Sequence, residues 1–346
     1  MKNVRKKITR LSTILTASIL SAALPITALA AKNSPDDNTY QPKDVQTVDY
    51  KKSMTPDFAY SAEKWASLRD NTMEYGELAD LIHEYNPTVL SNRSTYKDQK
   101  NKNLNDIYED YMSDIDDIWD QADNADNDVT WASLRYSAGL LTKQADNNYE
   151  DADMEKIQYD QQEAKLVYQA QEMMFSLQQS SYNLENLQSV RDLLQKQYEA
   201  TQAQFSVGMA TQTDVLTALK SVQDQDTAIL TAKKSQENVH RNLCLMLGWS
   251  ADAQPEIKEV PQPDLSRVDT LDPNADAQTA IDNNYDVKYY TKKAGNLTSQ
   301  DLIESNQASI VNAKDTAIRS LKTQYNTVLT TRDSLNAAKA QLQVAE

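Results

Sequence analysis

The sequence predicts an all-α protein built on a long antiparallel coiled-coil helical hairpin, with little or no β-structure. Three observations predict it. Apolar residues recur on alternating three- and four-residue steps over two long stretches. The first holds Leu184, Leu187, Leu194, Tyr198 and Phe205, with Arg191 and Thr201 as polar members of the same seam. The second holds Val215, Leu219, Val222, Ile229, Ala232, Val239, Leu243 and Met246. A seam that repeats about every 3.5 residues winds a helix against a partner in a shallow left-handed supercoil. Between the stretches lies Phe205-Ser206-Val207-Gly208-Met209-Ala210-Thr211, and Gly208 is the only glycine between Gly139 and Gly248. Glycine costs about 1 kcal/mol inside a helix but adopts positive φ freely, so it belongs where a chain reverses. A connection this short leaves two helices no course but to fold back on each other. Finally, only five glycines and nine prolines occur, and no proline lies between Pro87 and Pro255. That gap permits long uninterrupted helices.

The formal charge is −16, and removing the five basic residues of the first thirty positions (Lys2, Arg5, Lys6, Lys7, Arg10) leaves −21. So acidic a surface repels nucleic acid and anionic lipid. Residues 1–30 read as a secretory signal, with a basic start, an apolar run from Leu11 to Ala23 and a small-x-small Ala28-Leu29-Ala30 cleavage site. The run is too short to span a bilayer comfortably. The expected destination is the cell envelope. The single cysteine, Cys244, cannot form an internal disulfide and reads as a small buried apolar residue.

Taken in order, residues 31–57 form a polar, proline-punctuated lead-in. Residues 58–248 form a first helical repeat. It opens with a helix from Tyr60 to Tyr85, stopped at Asn86-Pro87 because the pre-proline position disfavours helix. Residues 90–103 are polar without alternation. Helix resumes from Leu104 to Ala122, followed by an acidic stretch from Asp120 to Asp128. Oxygen-rich side chains there raise calcium binding. The EF-hand spacing and its glycine are missing, which favours a solvated loop with Asp128 capping the next helix. Val129 to Val207 can run as one very long helix, with breaks at Gly139 or Asp146 as the alternative; Met154 to Val207 alone would extend roughly 80 Å. The return helix, Thr211 to Leu247, stops at Gly248.

Residues 249–275 hold Pro255, Pro261, Pro263 and Pro273 and read as a linker. Residues 276–346 then repeat the opening: Ala277, Asn284 and Val287 stand at one constant offset from Ala79, Asn86 and Val89. A helix from about Ser299 to the end follows. The chain is an internal duplication whose second copy is incomplete.

The tip sequence Tyr198-(x)6-Phe205-Ser-Val-Gly-Met-Ala-Thr-Gln-Thr-Asp214-Val-Leu216-x-Ala218, and a helix ending Leu243-x-x-Met-Leu-Gly248, resemble the TolC family of outer-membrane efflux ducts. The duplicated openings and the secretory signal agree, and the resemblance covers about residues 74–346. It implies two repeats per chain and three chains per duct, forming an α-helical barrel. It also implies hairpin tips that dock a periplasmic-type adaptor protein, which joins an inner-membrane transporter. On this resemblance Phe205, Val207, Gly208 and Met209 form the adaptor-docking tip, and Thr213 and Asp214 belong to a closing network between neighbouring hairpins. Read from the residues alone, Asp214 can instead cap the returning helix, and an exposed Val207–Met209 pair suits a contact surface. Two departures stand out. The family's membrane strands would need period-two alternation, which neither 87–104 nor 285–300 shows. The second hairpin is also cut off.

No nucleophile elbow, metal-ligand spacing or phosphate loop occurs, so enzymatic chemistry and cofactors are not expected. His83 and His240 read as surface or seam residues, and Tyr159, Tyr168, Tyr182 and Tyr198 as seam and barrel packing. Two functions remain open. One is a passive duct component of an efflux or export assembly; the other is a non-conducting coiled-coil scaffold of the envelope.

Overall fold

The computed structural model describes residues 60–345; the leader (1–30) and lead-in (31–57) expectations therefore lie outside the described residues. Among these, the order is α1 (Ala62–Ser67), β1 (Thr72–Met73), a 3-10 turn (Tyr75–Glu77), α2 (Leu78–Tyr85), α3 (Pro87–Gln99), α4 (Leu104–Asp123) and α5 (Asp128–Asp146). Then come α6 (Ala152–Ser206), α7 (Gln212–Met246), β2 (Glu256–Ile257), a 3-10 segment (Leu265–Thr270), α8 (Ala277–Asn283), α9 (Tyr285–Ala294) and α10 (Gln300–Ala345). The all-α expectation holds, since the strands comprise two residues each. The described residues divide into two compact units interleaved in sequence: 60–91 with 162–262, and 92–161 with 263–345.

In the first unit a core gathers at the end of the long helices away from their turn. α2 places Leu78, Leu81 and Ile82, all at most 1% exposed, on one face at helical spacing. They pack with Trp65 of α1 and Leu68 just after it, Ala170, Met174 and Leu177 of α6, and Leu243, Met246 and Leu247 at the end of α7. The single helix expected from Tyr60 to Tyr85 is broken. After Leu68 the Asp70 carboxylate accepts the amide of Thr72 at 2.8 Å, and the chain leaves helical geometry. It then pairs in parallel with β2, Thr72 against Glu256 and Met73 against Ile257. The stretch expected to be a linker is tied down here as well. Trp249, Ala253 and Val260 join the core, and the Val260 amide donates to Gln178 Oε1 at 3.1 Å.

α2 stops at Tyr85 as expected, but helix resumes at once. Asn86 Oδ1 accepts the amides of Thr88 and Val89 at 3.0 and 3.3 Å, and Pro87 supplies the first residue of α3. The polar stretch 90–103 is thus mostly helix, with Val89 as the buried residue of α3. Its polarity marks a solvated helix, not a loop.

In the second unit α4 and α5 pack through Ile115, Ile118, Ala138, Leu141 and Ala145. The helix cap at the acidic bend is Asn127, whose side chain accepts the Thr130 amide at 2.9 Å; Asp128, expected as the cap, is the first helical residue. Gly139 sits inside α5 without a break, and the interruption falls after Asp146. That connection, 147–151, is fastened to α9. Lys292 reaches Asp153 at 2.7 Å, and Asn296 donates to the Tyr149 carbonyl and to Asp151 at 3.0 and 2.9 Å. α10 buries Ile310, Ala313 and Ala317 along one stripe, beside Asn306, whose amide donates to the Tyr290 carbonyl at 2.9 Å.

Candidate functional site

The strongest candidate is the reversal between α6 and α7. Gly208 takes φ +78°, a left-handed conformation that costs an L-residue about 1 kcal/mol or more. The Gly208 amide donates to the Phe205 carbonyl at 3.0 Å and the Met209 amide to the Gln204 carbonyl at 2.8 Å, a Schellman closure of α6. Two residues later Thr211 opens α7. Its amide and hydroxyl donate to Asp214 Oδ2 at 2.8 and 2.7 Å, and its Oγ1 accepts the Asp214 amide at 3.2 Å. Together these bonds form a capping box that satisfies donors at the start of α7. The same bonds, the Thr211 amide first, hold the Asp214 carboxyl below its ordinary range. The structure therefore engages Asp214 in its own turn. Thr213 is exposed, and its carbonyl accepts the Thr217 hydroxyl at 2.8 Å.

The closure of the turn pushes apolar side chains outward. Phe205, Val207, Met209 and Leu216 are 48%, 68%, 81% and 56% exposed. A Cβ built on Gly208 would meet nothing within 4 Å, so the bend is open on that side.

Hydrogen bonds cross between the helices behind the tip. Arg191 Nε donates to Asp226 at 3.1 Å, Gln225 to the Leu187 carbonyl at 2.9 Å, and Gln236 to Ser181 Oγ at 2.9 Å. The partners Arg191/Asp226 and Ser181/Gln236, separated by 35 and 55 residues, lie nearly symmetrically about Gly208, as antiparallel helices require. The less exposed residues of both helices follow the heptad seam, with Leu184 and Val222 buried. Polar seam positions make the cross-helix bonds.

Two of the four tyrosines expected in seam or barrel packing lie off the seam of the hairpin. Tyr168 and Tyr182 are exposed, and with Phe175, also about half exposed, they repeat every seven residues on the outer face of α6. Leu193, eleven residues on from Tyr182, is exposed close to the same face. The spacing of seven was present in the sequence, but a second stripe on the same helix was masked by the stronger seam.

Elsewhere, His83 Nδ1 lies 2.7 Å from Glu163 Oε1, and His240 lies beside the buried thiol of Cys244 at 3.8 Å. Burial pushes that thiol up to about 12. Among the described residues no group of three or more His, Cys, Asp or Glu is arranged to hold a metal ion, and no helix is long and apolar enough to cross a membrane. Comparison with family models, with characterised proteins and with solved structures finds no match to this chain.

Proposed function

We propose that the chain is a TolC-like helical duct component of an envelope efflux or export assembly, docking an adaptor protein through the tip at residues 205–211. The observation that carries this reading is the exposed apolar bend: a long helix reverses at Gly208 and presents Phe205, Val207 and Met209 to solvent. Isolated apolar residues on a surface need no explanation, but a cluster at the end of a rigid element is the usual form of a contact site. The outer stripe of Tyr168, Phe175, Tyr182 and Leu193 supports assembly of several copies side by side, trimeric by the family resemblance. An inner seam holds the hairpin; in the second stripe Phe175 packs edge-on against Tyr75, and Tyr168, Tyr182 and Leu193 are left exposed for a neighbour. In such a duct the protein does no chemistry; bore, acidic lining and tip opening select the cargo that an inner-membrane pump supplies. Asp214 serves first as the N3 partner of the Thr211 cap, and a gating contact would have to use it in addition.

The test is Met209→Asp. Binding to an adaptor hairpin should be lost while helicity by circular dichroism stays unchanged, and intact binding removes the tip assignment.

One observation favours the second reading, a non-conducting envelope scaffold. Residues 87–99 and 285–294, where the family places or adjoins its strands, are helical. A scaffold would leave export unaffected by tip substitutions.

A further inference from the structure

The connection between α5 and α6 lies in the second unit and is held from several sides. The Tyr289 hydroxyl on α9 donates to Glu150, Lys292 pairs with Asp153 and stands 3.8 Å from Asp151, and Asn296 ties down the Tyr149 carbonyl and Asp151. Every one of these fastenings uses the short segment 149–153. Immediately after it, Glu155 turns inward. Its Oε2 has no accessible surface and no hydrogen-bond partner. The charged and titratable groups around it are Glu150 and Asp151 from the connection, Lys102 from the link before α4, Tyr111 from α4, and Tyr159 one turn further along α6. Lys102, the cation that opposes them, is also paired with Asp110 and so is shared.

We propose that this connection is a proton-operated latch: neutral Glu155 leaves it fastened to α9, and ionised Glu155 releases it. A carboxylate placed here brings a third negative charge beside Glu150 and Asp151, with one of its oxygens out of reach of water. The strain falls on the very carboxylates that Tyr289, Lys292 and Asn296 hold. Burial first, and then Glu150 and Asp151, push the Glu155 carboxyl up to about 7, with Lys102 opposing. The sign follows from that direction. A raised pKa in the fastened state means its stabilisation is complete below the free value of 4.5 and is lost as pH rises through about 7. The latch would therefore respond to pH over a range that matters outside the cytoplasm. It operates whether or not the chain forms a duct.

Hydrogen–deuterium exchange on the whole chain, corrected for intrinsic rates, tests it. From about pH 5.5 to about pH 8.5, amides 147–153 should lose protection about tenfold, with a midpoint near neutrality. Glu155→Gln should keep them protected throughout, whereas Asp114→Asn, at the neighbouring α4 position, should leave the pH response intact. Lys102→Gln should move the midpoint to higher pH, which keeps the test decisive if the Glu155 variant folds poorly. Protection that does not change with pH in the unsubstituted chain, a response surviving in Glu155→Gln, or a midpoint indifferent to Lys102 would each overturn the proposal.

Discussion

Asn86 and Asn284 hold the same backbone conformation, φ −68° and ψ 124° against φ −71° and ψ 126°, and each caps the helix that follows it. Asn86 Oδ1 accepts the Thr88 and Val89 amides, and Asn284 Oδ1 accepts the Val287 amide at 3.0 Å. The two stretches related by one constant offset in the sequence thus share a helix–cap–helix junction. The two differ in what else they do. Asn86 is 4% exposed and donates its amide to the Met246 carbonyl at the end of α7, at 2.9 Å.

That difference predicts unequal costs. Asn284→Ala should lose a cap, about 1 kcal/mol. Asn86→Ala should lose a cap and also leave the Met246 carbonyl unpaired in the core, about 2–3 kcal/mol in all. Urea unfolding of the two variants measures the contrast; equal costs would mean that the Asn86–Met246 bond contributes nothing.

Gly208 and Gly248 close their helices in the same way, at φ +78° and +87°, but in different surroundings. A Cβ at Gly208 meets nothing within 4 Å, whereas one at Gly248 would sit 2.4 Å from the Tyr85 Cβ. Gly208→Ala should therefore cost only the backbone strain, about 1 kcal/mol. Gly248→Ala should cost roughly 3 kcal/mol or more, because the end of α2 must move. Thermal unfolding compares them directly.

Cys244 is fully buried and its thiol is raised to about 12 by that burial. Because the folded value lies above the ordinary 9.0, the neutral thiol contributes stability that is present below about pH 9 and lost as pH rises toward 12. At about pH 8 a thiol reagent should leave the native chain unlabelled and label it promptly in urea. Rapid native labelling would place the sulfur at the surface.

The polar members of the seam should contribute register more than energy. Arg191 and Asp226 are about a third and half exposed, so a double-mutant cycle should give at most about 1 kcal/mol. Val222→Ala, at a position 4% exposed, should cost more, roughly 1–2 kcal/mol. The reverse order would mean that the helices are held by charge.

The sequence made the rods and their bend legible because both depend on local signals. Heptad spacing marks Leu184 and Val222 as inward, and a lone glycine among helix formers marks the turn. The break inside 62–85 was not legible, since β1 exists only by pairing with Glu256 and Ile257, far along the chain, and two residues carry no period. The same pairing made residues 250–260 look like a linker, because their prolines mark irregular backbone and say nothing of burial. α3 was missed for another reason: it is a polar helix with almost no buried face, so the hydrophobic pattern was silent while Asn86 and Pro87 set its start. At the tip the apolar residues and Gly208 were readable in place. Its residue type alone does not say whether Asp214 caps or gates, and the Thr211–Asp214 box supplies the capping half of the answer.

The central claim is that several copies of this chain stand side by side with their bends free at one end. Electron-microscopic projections of the purified chain test it most directly. The account predicts closed rings with a central lumen that come apart when the outer stripe is charged, as in Tyr182→Asp. Particles that remain single or paired and enclose no lumen would contradict it.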